Sequence, residues 1–336
     1  MEEQIKVEYR KQLTFFTLHL IGKMINFKRN AAEKVMREYP KSIFTIDVED
    51  YFNVTEERGE PPVSEWDSLP SIVESGFMKL LALLDTYQVQ ATCFFLGYIA
   101  KKYPQLVKEA QKRGHEIASH GMYHRLIYKM SREEFAADLL QSKKVLEDIS
   151  SEQVTAFRSP SFSFTEATPW FFETLAEAGF RADSSVFPVK RDYGGYKTTQ
   201  KKPYWVTTAQ GRICEFPISV APFCGKEICF FGGGYLRLFP KRVILAMHKK
   251  LEKEGIPTLF YIHPREMEPR HPRIKMNKLA YFKSYVNLDT VPAKLKAILS
   301  ENKFITFRQY METYPAEKTI SQVVTSREDA PKGEGE

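Results

Sequence analysis

Residues 91–124 read ATCFFLGYIAKKYPQLVKEAQKRGHEIASHGMYH, and the order of patterns within them decides the fold class. Ala91–Leu96 is a short unbroken apolar run, as expected of a strand buried on both faces. Ile99–Arg113 has helical character and stops at Gly114, the residue type that most easily adopts the left-handed turn closing a helix. His115–Ser119 then returns to strand character. Strand, helix and strand in about thirty residues is a parallel crossover unit.

The same alternation extends outward in both directions. Upstream, Ser42–Val48 (SIFTIDV) is a strand by its β-branched and aromatic content, Thr55–Pro70 is a loop, and Ile72–Tyr87 places Phe77, Leu80, Leu81 and Leu84 on one helical face. Downstream, Ser131 with Glu134 three residues later forms a capping box that opens a helix. Thr155–Arg158 is the next strand, Thr168–Ala178 a helix stopped by Gly179, and Phe180–Ala182 a short fifth strand. After Ser185 the pattern changes. Tyr204–Thr208 and Arg212–Ser219 flank Gln210-Gly211 as an antiparallel hairpin. Arg242–Glu254 is helical, Thr258–Ile262 is a strand, and Ala293–Leu299 with Phe304–Phe307 is a last unit. The chain therefore reads as α/β, with parallel strands wrapped by helices. A barrel of that kind carries its chemistry at the C-terminal ends of its strands.

Bulk properties narrow the class further. The chain has 336 residues, 43% hydrophobic and 27% charged, with 25 Phe and 17 Tyr. That composition builds a sizeable core and excludes a disordered chain. The net charge is +7, but no Lys/Arg block is dense enough to predict nucleic acid as a partner. Cys93, Cys214, Cys224 and Cys229 form no CxxC pair and are expected to be reduced, which fits a cytoplasmic location. Leu13–Gly22 is apolar but too short to span a bilayer, contains His19 and is bounded by Lys11 and Lys23. We expect three parts: a basic leader at 1–40, a domain at 41–316 whose C-terminal extension begins near 205, and a disordered polar tail at 317–336. The leader is expected to pack as a short amphipathic helix, with peripheral membrane contact as the second reading.

Five groups of polar residues fall at or just after predicted strand ends. The first strand ends in Asp47-Val48-Glu49-Asp50, three carboxylates that are costly to bury without a cation or a shared proton. The third is followed by His120 and His124, whose i, i+4 spacing lets two imidazoles reach one ion. Joined to a carboxylate from another strand end, they make a two-His, one-acid site with positions left for water and substrate. The fourth is followed by Arg158-Ser159-Pro160-Ser161, where Arg can pin a carboxylate and Pro fixes a turn that aims a backbone N–H. Asp183 follows the fifth strand, and His263-Pro264 follows Thr258–Ile262; a His with an Asp at another strand end suits a tuned proton donor. His115, at the start of its strand, is expected to be structural.

The ordered motifs TID (45–47), GHEIASHGMYH (114–124), FRSPSF (157–162), ADSS (182–185) and YIHP (261–264) closely resemble the polysaccharide deacetylase family, the NodB-homology carbohydrate esterases. The resemblance runs from about Ser42 to about Tyr310. Through GGGYLRLFP (232–240) it is similar to the branch found in exopolysaccharide loci, often beside exosortases. It implies a distorted (β/α)7 barrel and a metal-dependent hydrolase that removes the N-acetyl group of an amino sugar, in a polysaccharide or a lipid-linked precursor. The implied roles are Asp47 as catalytic base, His120 and His124 as metal ligands, Arg158 orienting the base, His263 as acid with Asp183 as its partner, and Ser161 as oxyanion donor through its backbone. The implied cofactor is a divalent cation, Zn²⁺ ahead of Co²⁺ or Ni²⁺.

Two positions depart from the family pattern. The usual adjacent aspartates are replaced by Asp47-Val48-Glu49-Asp50, so the third ligand is either Glu49, which shares a strand face with Asp47, or Asp50 if the strand ends at Val48. Arg265 follows His263-Pro264 where this branch usually has Trp, putting a cation in place of an aromatic wall. The competing readings are a metal-independent amidohydrolase and a non-catalytic carbohydrate-binding barrel. The intact His pair argues against the first, and the presence of both Asp47 and His263 against the second.

Overall fold

The computed structural model describes residues 42–53, 59–190, 194–301, 303–313 and 321–323. Five strands follow one another in the first half: β1 (Ser42–Val48), β2 (Thr92–Phe95), β3 (Glu116–Ser119), β4 (Ala156–Phe157) and β5 (Ala182–Asp183). Between them run α1 (Val73–Thr86), α2 (Gly97–Lys102), α3 (Pro104–Lys112), α4 (Arg132–Ser150) and α5 (Phe171–Glu177). The hairpin β6 (Tyr204–Thr208) and β7 (Gly211–Glu215) extends the sheet: β7 lies parallel to β5, and β6 lies antiparallel outside it. A separate small hairpin, β8 (Ala221–Phe223) with β9 (Lys226–Ile228), precedes α6 (Gly233–Leu238) and α7 (Lys241–Lys253). Then come β10 (Thr258–Ile262), which pairs with β1, and α8 (Lys278–Tyr285), α9 (Val291–Glu301), β11 (Phe304–Ile305) and α10 (Phe307–Thr313).

The order β10-β1-β2-β3-β4-β5-β7 is parallel throughout and curls into a distorted (β/α)7 barrel. Beyond β7, the Ser219 hydroxyl reaches the open edge of β10, accepting from the Leu259 N–H at 2.8 Å. Within the tail expected to be disordered, Ser321–Val323 instead runs parallel to β6 at the far edge, where backbone pairing holds it. The rest of the tail and the leader 1–40 lie outside the described residues.

Every residue of β1 is buried. Phe44, Ile46 and Val48 join the main core with Phe77, Leu80, Leu81 and Leu84 of α1, each worth roughly 1.5–3 kcal/mol of hydrophobic burial. The alternate residues, Thr45 and Asp47, point into the barrel, where Arg158 reaches both. The helix expected at Ile99–Arg113 is two helices that break at Tyr103-Pro104. Proline has no N–H to continue the ladder and disfavours the helical conformation at the residue before it. Within the loop expected at Thr55–Pro70, Val63–Ser68 forms a 3₁₀ turn that buries Trp66 completely against Tyr51 and Phe52. None of the four cysteines is in a disulfide.

Candidate active site

The strand β1 ends at Val48, yet Glu49 still faces inward and Asp50 does not. The Glu49 N–H turns back to the Asp47 carbonyl at 3.1 Å, which keeps both side chains on the barrel side. Glu49 Oε2 lies 3.1 Å from His124 Nε2 and 3.6 Å from His120 Nε2. Burial alone would raise the Glu49 pKa, but His124 and His120 outweigh it and hold the carboxyl far below the usual range. Asp50 points the other way. It accepts the N–H groups of Tyr51 (2.8 Å) and Ile72 (3.2 Å) and the Ser71 hydroxyl, so it clasps the start of α1. Of the two carboxylates considered as the third ligand, geometry brings only Glu49 to the histidines.

The His pair stands on a turn, not on a helix. Gly121 has φ +77° and a Cβ there would meet Asp138 Oδ2 at 2.8 Å, so glycine is required where the chain leaves β3. Asp138 of α4 fixes the turn by accepting the Met122 N–H at 2.8 Å. His120 Nδ1 faces the Arg158 carbonyl at 2.8 Å. A carbonyl only accepts, so Nδ1 carries the proton and Nε2 presents its lone pair. His115 lies elsewhere, at the start of β3, with Nδ1 accepting the Ala91 N–H at 3.1 Å; burial lowers its pKa to about 4.

Arg158 follows β4 and is fully buried. It donates to Asp47 Oδ1 at 2.6 Å, to Thr45 Oγ1 at 2.9 Å and to the Ser184 hydroxyl at 3.0 Å, and rests on the Phe94 ring at 4.2 Å. Breaking a buried pair of this kind costs about 3–5 kcal/mol, so Asp47 is held in one orientation. Ser161 sits in the left-handed region at φ 55°. Its turn is closed by Phe162 N–H to Ser159 O and Ser163 N–H to Pro160 O. Neither bond uses the Ser161 N–H, and Ser161 lines the cavity.

His263 approaches from β10. Its Nε2 is 3.7 Å from Asp47 Oδ2 and 3.8 Å from Glu49 Oε1. The carboxylate behind it is Glu266, whose Oε2 is 3.7 Å from Nδ1 and accepts the His263 N–H at 3.0 Å. The coupling is through charge, since 3.7 Å is too long for a hydrogen bond. Burial disfavours the imidazolium, but Glu266, Glu49 and Asp47 prevail and raise the His263 pKa. Glu266 is buried and paired with Arg237 at 2.5 Å. Against the cost of burial, His263 and Arg237 lower its pKa to about 2.

Asp183, expected beside His263, is instead engaged elsewhere. It accepts the Ser185 N–H at 3.0 Å and hydroxyl at 2.7 Å. Through the β5–β7 register it faces Glu215, also fully buried. Burial raises both pKa values, Glu215 well above its ordinary range, and the two carboxyls interact directly. Parallel pairing carries Asp183 to its sheet neighbour, and no bond or ion pair joins it to His263. The residues missed in sequence are Glu266 and Arg237. For Glu266 the signal was local: a Glu three residues after His263, at the opening of a Pro-led turn.

Asp47, Glu49, His120, His124, Ser161 and His263 open into one cavity of about 450 Å³. Tyr261 forms part of its wall because Gly232 and Gly233 leave room: a Cβ on Gly232 would meet the Tyr261 ring at 2.3 Å. Tyr235, Leu238, Leu279 and Phe282 line the cavity and are exposed. The donor set fits a divalent cation. Two imidazole nitrogens and one carboxylate oxygen lie within 4.8 Å of one another, the carboxyl is held ionised, and His120 is fixed in the ligating tautomer.

Comparisons with known proteins agree with this architecture. The family described as "Polysaccharide deacetylase" matches residues 63–182, and a domain of unknown function, DUF3473, matches 184–312. The second stretch carries Arg237, His263 and Glu266. A peptidoglycan-N-acetylglucosamine deacetylase of Bacillus cereus is 36% identical over 103 residues, which is 31% of this chain and 46% of that protein. A peptidoglycan deacetylase of Helicobacter pylori is 28% identical over 113 residues, 34% of this chain and 38% of that protein. The matches thus span less than half the length of these curated relatives. Among solved structures, a putative polysaccharide deacetylase from Mycobacterium smegmatis superposes with a TM-score of 0.57 at 19% identity, covering 87% of this chain and 96% of that one. At this identity the likeness is one of fold.

Proposed function

We propose that this chain, which belongs to the polysaccharide deacetylase family, hydrolyses the N-acetyl group of an amino sugar with the help of a bound divalent cation, Zn²⁺ in the first instance. One observation carries the reading. A ligand set (Glu49, His120, His124), a braced carboxylate (Asp47 on Arg158) and an imidazole whose pKa is raised (His263) face each other across a single cavity. A non-catalytic binding barrel has no use for the last two.

A cation held by Glu49, His120 and His124 would act as a Lewis acid toward the acetamide oxygen and lower the pKa of a water. The chain's own residues do the rest. Asp47, held by Arg158, takes a proton as the water oxygen attacks the acetamide carbon. The Ser161 N–H donates to the oxygen that gains negative charge. His263, at its raised pKa, gives the Nε2 proton to the amine as the C–N bond breaks, so acetate and the free amino sugar leave. Asp47 Oδ2 then lies 3.7 Å from the deprotonated Nε2, near enough to return its proton through one water. Relatives named for peptidoglycan N-acetylglucosamine support an N-acetylated glycan as substrate.

Acetate release from a panel of N-acetylated glycans, with and without chelator, tests the reading. We expect chelation to abolish release and Zn²⁺ or Co²⁺ to restore it. Full activity in a verified metal-free sample would remove the cation from the mechanism and favour a metal-independent amidohydrolase.

A further inference from the structure

Resting on the reading above, that the cavity receives an N-acetylated sugar, we propose that Arg265 forms a subsite beside His263 for an anionic group of the same substrate, a carboxylate or a phosphoryl. Arg265 lies on the 3₁₀ turn Pro264–Met267 that leaves β10, two residues beyond His263. It lines the cavity and is only 6% exposed. Its Nε and Nη1 meet no hydrogen-bond acceptor, and no carboxylate among the described residues pairs with it. A guanidinium cannot shed its charge to escape such a site. A buried cation without a partner is among the costliest groups a fold can keep.

The surroundings deepen the imbalance. Arg237, also buried, spends Nη1 on Glu266 and Nη2 on the Lys283 carbonyl at 2.9 Å, and its Nε has no acceptor. Glu266 is therefore taken up by Arg237, and it also faces His263. His271 nearby adds no negative charge; burial first, then Arg265 and other arginines, lower its pKa to about 4. Lys190 and Lys283 line the same cavity. A planar guanidinium that lines a cavity suits the two oxygens of a carboxylate or phosphoryl group. A neutral glycan can offer hydroxyl oxygens to the guanidinium N–H groups but brings no charge to compensate the cation. A uronic acid in the glycan and a phosphoryl linked to the sugar are the two sources of that chemistry.

The test is calorimetric binding to the full chain in chelator, so that no anion can bind through a metal ion. The ligands are N-acetylglucosamine, N-acetylglucosamine 1-phosphate and an N-acetylglucosamine–glucuronate disaccharide. We expect one acidic ligand to bind roughly ten- to hundredfold tighter than the neutral sugar, the range of one charge-assisted pair; which acid wins identifies the source. In Arg265→Met and Arg265→Trp the ratio should fall to about one. Arg265→Met should also melt about 2 °C or more higher, because an unpaired buried charge is gone. Lys249→Ala, which removes an equal charge from an exposed site, should leave the ratio unchanged. Equal affinities in the parent chain overturn the proposal. So does acid preference that survives in both Arg265 variants, or a lower melting point for Arg265→Met, which would make Arg265 a structural residue. If the binding results hold but no glycan releases acetate, the deacetylase reading falls and the subsite stands.

Discussion

Glu49→Ala should lose its bound divalent cation and at least about a hundredfold in acetate release, whereas Asp50→Ala should keep the cation and lose stability instead. Even groups that only hydrogen-bond a metal's ligands are worth about 10–100-fold, and Glu49 is the carboxylate whose oxygen lies among the nitrogens of His120 and His124. Without it, two imidazoles remain, too few to hold the ion against a chelator. Asp50 spends its oxygens on Tyr51, Ser71 and Ile72. Removing it strands those donors, at about 1–3 kcal/mol for the buried Tyr51 N–H, which melting detects. Metal content after dialysis, read beside the melting temperature, separates the two roles. A cation kept by Glu49→Ala and lost by Asp50→Ala would reverse the assignment.

The two carboxylates show what can be read from a sequence and what cannot. Period-two alternation put Glu49 on the face of Asp47, and that face is the one it occupies. Deciding against Asp50 needed the backbone turn after Val48 and the position of Ser71 and Ile72, which come from a distant loop. The same limit explains Asp183. Strand-end position identified Asp183 and His263 as polar groups, but not which neighbour each meets. Register gives Asp183 to Glu215, while His263 takes a carboxylate three residues along its own turn. The barrel was legible because it depends on local patterns repeated along the chain: apolar runs, the capping box at Ser131 and Glu134, and glycines at helix ends. The break at Pro104 was equally local and follows from the missing N–H. Arg237 was not legible as part of the site. It sits on α6 among apolar residues, and only tertiary packing brings it to Glu266.

His263→Ala should lower turnover by about 10²–10⁴-fold, the scale of lost general acid catalysis, with metal content unchanged. The more informative variant is Glu266→Gln. His263 must be protonated to deliver its proton, so activity falls on the alkaline side as the pH rises through its pKa. Glu266, Glu49 and Asp47 together raise that pKa. A cation on Glu49 cancels the share due to Glu49, which leaves Glu266 and Asp47. Neutralising Glu266 therefore lowers the pKa, and the alkaline limb of the kcat/KM profile should move to lower pH. Arg237 loses its partner in this variant, so stability should fall as well, but an unfolded fraction scales the whole profile and does not shift a limb. Asp183→Asn should leave the limb where it is, because Asp183 interacts with Ser185 and Glu215. The double variant of His263→Ala and Glu266→Gln should be no slower than His263→Ala alone, as expected of two groups serving one proton transfer. A limb that moves in Asp183→Asn and stays fixed in Glu266→Gln would return the partner role to Asp183, and would mean that the charge 3.7 Å behind the imidazole does not set its proton affinity.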